Sequence, residues 1–120
     1  ENDKIPNLLS LVSNRGGAKI VTSHGESFGM SILEALLCGC PVISSKVGAI
    51  PEISPTSEVF RLYELGDLEL ASKMSIEILA DRGSDKIESK MREIRSHLIE
   101  SYSSALRSRE YWRILQEIAN

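Results

Sequence analysis

The chain has 120 residues, 42% of them apolar and 26% charged, a balance that supports one hydrophobic core and excludes a disordered or low-complexity segment. Its formal charge of -3 at pH 7 and isoelectric point near 5.4 provide no basic field to concentrate nucleic acid or anionic lipid, so neither is expected as a partner. No stretch approaches the roughly 20 apolar residues of a membrane helix, and residues 1–4 do not read as a signal peptide. The two cysteines, Cys38 and Cys40, are too close for an ordinary disulfide staple and too few for a zinc site, which points to a reducing, cytoplasmic setting. The missing initiator Met points to a piece of a longer chain.

In chain order, Asp3 is placed to cap a helix whose residues Ile5, Leu8, Leu9 and Val12 share one face, and residues 14–17 end it. Residues 18–23, with Ile20, Val21 and Thr22, read as a short buried strand. Phe28 or Gly29 opens a second helix that runs to Cys38 and is stopped by Gly39 and Pro41. Residues 41–45 read as a second buried strand, 46–57 as a loop, and 58–63 as a third strand. From Asp67 the pattern is helical, with a stripe of Ala71, Met74 and Ile78, a break at Gly83, and a second stripe of Ile87, Met91, Ile94 and Leu98. Tyr111, Trp112, Leu115 and Ile118 mark a last amphipathic helix.

Strands that alternate with helices imply βαβ units and a parallel sheet covered on its faces. The expected fold class is therefore α/β, a partial Rossmann-like parallel sheet with flanking helices and a helical C-terminus. Three strands are few for a doubly wound domain, so residues 1–120 read as the distal half of one whose first strands lie upstream.

Chemistry concentrates in residues 22–52. The segment Ser23-His24-Gly25-Glu26-Ser27-Phe28-Gly29 is a polar turn between strand and helix, at the carboxyl edge of a parallel sheet. Ligands of open α/β sheets bind at that edge, and the free N–H groups of the following helix favour anions such as a diphosphate. Glu34 lies on a helix apolar around most of its circumference, where Ser31, Glu34 and Cys38 form the polar strip. A carboxylate beside buried surface needs donors, and ribose hydroxyls are suitable ones. Glu26, eight residues earlier, is placed to meet the sugar end of the same ligand. Periodicity alone favours Glu34 on an exposed helix edge and Glu26 as a helix-start acid stabilised by the dipole. His24 reads as a polar turn residue, His97 as exposed, and the cysteines as small apolar packing groups.

Residues 22–52 resemble the donor-site signature of the retaining glycosyltransferases of family 4, which have the GT-B fold of two facing Rossmann-like domains. The shared elements are the Glu-x7-Glu pair, Glu26 and Glu34, with Glu26-Ser27-Phe28-Gly29 at its front, then Glu34-Ala35, Cys38-Gly39, Pro41-Val42, and the Gly48 to Glu52 element. The resemblance implies that Glu34 holds the ribose hydroxyls of a nucleotide diphosphate sugar. It gives Glu26 as the catalytic candidate, contacting hydroxyls of the transferred sugar, assigns backbone N–H groups of Phe28, Gly29, Met30 and Ser31 to the sugar and diphosphate, and includes Ser27 among the substrate-binding residues. It implies a donor substrate rather than a cofactor, and no metal at the diphosphate.

The family's upstream basic pair and its acceptor-binding N-terminal domain have no counterpart here; Arg15 and Lys19 read as surface charges. The expectation is the donor-binding part of a glycosyltransferase, inactive alone, whose acceptor glycan or glycolipid binds a further domain and whose parent enzyme is compatible with peripheral membrane attachment. The isolated chain is expected to self-associate through its uncovered edge. The alternatives are a non-catalytic nucleotide-binding or interaction module, and a GT-B-fold nucleotide-sugar epimerase.

Overall fold

The computed structural model describes Leu8 and residues 11–22 and 30–106. Three parallel strands, β1 (Lys19–Val21), β2 (Val42–Ser45) and β3 (Phe60–Tyr63), lie in the order β1-β2-β3. Lys19 pairs with Val42, and Val42 with Phe60. Helix α1 (Met30–Leu37) joins β1 to β2, and helices α2 (Leu68–Asp81) and α3 (Asp85–Leu106) follow β3. The expected α/β class and parallel sheet are thus observed.

Successive residues of a strand point to opposite faces, and β2 shows what each face buries. Val42 belongs to the main cluster, with Ile32, Leu33, Leu36 and Leu37 of α1, Phe60 of β3, and Ile87, Met91, Ile94 and Leu98 of α3. Ile43 belongs to a second cluster with Tyr63 and with Ala71 and Ile78 of α2, against which Met74 also packs. Both expected helical stripes therefore face the core, one on each side of the sheet.

The breakers act as local chemistry dictates. Gly39 has φ 81°; its N–H donates to the Leu36 carbonyl at 3.1 Å and that of Cys40 to Ala35 at 2.9 Å, the paired bonds of a Schellman ending. The helical turn at residues 11–14 ends the same way, with Gly16 N–H on Ser13 and Gly17 N–H on Val12. Asp67 caps α2 by accepting from Leu70 N–H at 3.1 Å, and after Gly83 the Ser84 hydroxyl oxygen accepts from Ile87 N–H.

Three details depart from expectation. Leu8, expected on a buried face, is 59% exposed, while Val12 packs on the main cluster; the described part of that helix meets the core only at its carboxyl end. The 46–57 loop contains a short 3-10 turn, Ile50–Glu52, and inserts Ile50 and Ile53 into the main cluster, held to α3 by the Tyr102 hydroxyl donating to the Ile53 carbonyl. The third strand begins at Phe60 rather than residue 58, because residues 57–60 close a turn in which Ser57 N–H donates to the Phe60 carbonyl at 3.0 Å. The helix expected around Tyr111, Trp112, Leu115 and Ile118 lies outside the described residues, as do Asp3, Ile5 and Leu9.

Candidate functional site

At the carboxyl edge of the sheet, β1 ends at Val21, β2 ends in the buried pair Ser44 and Ser45, and β3 ends at Tyr63. Helix α1 starts at this edge with Met30 and runs back over β2. Its first N–H groups have no intrahelical acceptor, and its first turn contains no acidic residue, so its dipole there is not offset by a carboxylate of its own.

Glu34 lies one turn inside α1. Its neighbours Ile32, Leu33, Ala35, Leu36 and Leu37 are each at most 1% exposed, and Glu34 itself is 7% exposed. The exposed-edge alternative for Glu34 is therefore excluded. Its carboxylate makes no hydrogen bond or ion pair to another described residue, and no fully enclosed side-chain oxygen or nitrogen among them lacks a partner. The oxygens are thus the part of Glu34 that reaches solvent. A carboxylate kept in an apolar wall with its tip open can accept hydrogen bonds at that opening.

The charge of Glu34 is felt one turn along the helix. Cys38 is pushed up to about 12 by burial first, then by Glu34 and Cys40, against a smaller opposing effect of Arg95. Burial also raises the Cys40 thiol, partly countered by Arg82 and Lys19. Both are free and buried, so they pack as apolar groups rather than react.

Of the expected site residues, Met30, Ser31 and Glu34 fall together in the opening turns of α1. Glu26, Ser27, Phe28 and Gly29 lie outside the described residues, as does His24. In the Gly48 to Glu52 element Gly48 has φ 55°, Ile50 is buried and Glu52 is exposed. Arg15 and His97 are exposed, as expected. Lys19 is not the surface charge it was read as. It is half-buried, and its Nζ donates to the Ser31 carbonyl at 3.3 Å. A lysine at the start of a strand carries no signal of this in the sequence, because its partner depends on how α1 lies over the sheet. Tyr63, read only as the end of a strand, likewise meets β1 through its hydroxyl, which donates to the Val21 carbonyl at 2.9 Å. At the same edge Lys46 and Glu64 are 3.9 Å apart and largely exposed, a pair worth little. Among the described residues no cluster of His, Cys, Asp and Glu is placed to hold a metal ion, and no helix is long and apolar enough to cross a membrane.

The profile of the family "Glycosyl transferases group 1" matches residues 3–95. The chain belongs to this family. Among group 1 glycosyltransferases and related proteins, it is 29% identical over 126 residues to the N-acetyl-alpha-D-glucosaminyl L-malate synthase of Bacillus anthracis, covering 100% of this chain and 31% of that protein. It is 30% identical over 82 residues to a sulfoquinovosyl transferase of Arabidopsis thaliana, covering 66% of this chain and 16% of that protein. A D-inositol 3-phosphate glycosyltransferase of Actinosynnema mirum is 46% identical over 43 residues, which cover 36% of this chain and 10% of that protein. The chain thus spans less than a third of the length of these relatives. Membership accords with a Rossmann-like half-domain as the source of the three-stranded sheet.

Proposed function

We propose that this chain is the donor-binding part of a retaining, GT-B-type glycosyltransferase of family 4 that moves a sugar from a nucleotide diphosphate sugar to an acceptor hydroxyl. The observation that supports this most is Glu34: a carboxylate 7% exposed on an otherwise apolar helix, one turn from a helix start suited to a diphosphate. In this reading the ribose hydroxyls donate to Glu34, and the opening N–H groups of α1, with those of Ser27, Phe28 and Gly29, hold the diphosphate and sugar. Glu26 orients the sugar hydroxyls.

The bond between the anomeric carbon and the diphosphate oxygen breaks while the acceptor oxygen bonds to that carbon on the same face, and the acceptor's proton leaves with the nucleoside diphosphate. The positive end of α1 favours the charge that develops on the leaving group. Donor and acceptor must both be held for this step, so the chain alone is inactive in this reading, with the acceptor glycan or glycolipid bound by a further domain. Cytoplasmic placement and a role in polysaccharide synthesis belong to the same reading. Calorimetric titration of the Glu34→Gln protein with nucleoside diphosphates tests it.

A further inference from the structure

Two side-chain contacts that the donor signature does not supply hold the end of β1 and the start of α1. Tyr63 ends β3, with its ring buried at 2% exposure; it spans β2 so that its hydroxyl donates to the carbonyl of Val21, the last residue of β1. Lys19, two positions earlier on β1, sends its ammonium to the carbonyl of Ser31, the second residue of α1. A phenylalanine at position 63 would fill the same apolar space without burying a hydroxyl, and a leucine at position 19 would suit the space under α1 without desolvating an ammonium. What the two polar tips add is a fixed end of β1 and a fixed start of α1.

Resting on the donor-binding reading above, the geometry points to Tyr63 and Lys19 as positioning residues that set the exit of β1 and the entry of α1, and through the latter the diphosphate-facing N–H groups at the start of α1. Binding groups already held in place have less freedom to lose when a donor is bound, and small displacements of such a group weaken its alignment with the ligand. Each acts through the backbone carbonyl that it holds.

The test uses the full-length protein, with Tyr63→Phe, Lys19→Met and Lys19→Arg. Donor kinetics are measured with a panel of UDP-, GDP- and ADP-linked hexoses, and hydrogen–deuterium exchange is followed over residues 22–31. Tyr63→Phe and Lys19→Met should each raise the donor KM about fivefold, the scale of one lost hydrogen bond. They should also speed exchange in that segment, and leave exchange in β2 and β3 unchanged. Lys19→Arg, which keeps a donor of similar reach, should restore most of the KM. An unchanged KM with a kcat lowered only in proportion to the unfolded fraction would mean a purely structural role and would overturn the inference. If the wild-type protein turns over no sugar of the panel, the donor reading fails separately. The exchange measurement then still decides: unaltered exchange over residues 22–31 in both variants sinks the positioning role.

Discussion

Arg82 and Ser13, far apart in sequence, are joined where Arg82 Nη2 donates to the Ser13 carbonyl at 3.0 Å. The same guanidinium donates through Nη1 to the Gly17 carbonyl and through Nε to Glu88 at 3.2 Å, with its side chain 7% exposed. It thereby supplies donors to carbonyls near the end of the 11–14 helical turn and ties that turn to the junction between α2 and α3. Arg82→Met should destabilise the protein by about 2–3 kcal/mol, since several acceptors lose a charged donor at once. Arg82→Lys should recover less than half of that, because one ammonium does not reproduce the planar fork. Denaturant unfolding measures both; a loss within about 0.5 kcal/mol for the Met variant would count against this role.

Gly39 takes the left-handed conformation that ends α1, and a Cβ there would stand 3.1 Å from an Arg95 guanidinium nitrogen and 3.2 Å from the Ser13 hydroxyl. Gly39→Ala should therefore cost about 1–2 kcal/mol in the same experiment. Gly39→Asn should cost less from backbone strain, as Asn tolerates this region. Equal stability of the Ala variant and the wild type would show that the helix ending adapts.

Glu34 and Glu26 should separate by ligand part. Glu34→Gln is expected to weaken binding of a nucleoside diphosphate about tenfold, because an amide accepts from two hydroxyls less well than a carboxylate. Glu26→Gln should weaken the nucleotide sugar while leaving the free nucleoside diphosphate nearly unaffected. Calorimetry with both ligands distinguishes them. Unchanged nucleotide affinity for the first variant, or equal losses of both ligands for the second, removes the assigned role.

Stability should fall in alkali. The Cys38 thiol titrates near 9.0 when free and is pushed up to about 12 in the fold by burial, Glu34 and Cys40. Below pH 9 both states keep the proton. Between 9 and 12 the unfolded chain releases it while the folded chain holds it, so the stabilisation present at neutral pH is lost as pH rises through that window. Cys40 and Tyr63 are raised as well, by burial first, and act with the same sign. Thermal unfolding midpoints from pH 8 to 11 should decline, and less steeply in Cys38→Ala. Identical slopes in variant and wild type would mean that Cys38 is not a source of the effect.

Ile20 on β1 is 51% exposed, and it lines one hollow with Leu68 and Ile76 of α2, exposed at 62% and 69%. Apolar surface next to a strand edge favours association. The 120-residue chain should sediment with concentration-dependent mass and hydrolyse no nucleotide sugar. A monomer that turns over donor would contradict both the self-association and the divided-site reading.

Much of this protein was legible in its sequence because the signals are local. The stripes of Ala71, Met74 and Ile78 and of Ile87, Met91, Ile94 and Leu98, the breaks at Gly39 and Gly83, and the helical pattern from Asp67 onward depend on residues a few positions apart, whose spacing alone sets which face is apolar and where a helix must end. The Glu26 and Glu34 spacing belongs to the same class. Only the tertiary structure decided that Glu34 is walled in rather than at an exposed edge, because that depends on how the sheet and α3 cover α1. It also decided that Lys19 meets Ser31, that Tyr63 holds Val21 across β2, and that Arg82 closes on Ser13. These partners come together through strand order and helix placement, and a hydrogen bond between residues brought together in this way leaves no periodicity along the chain to read.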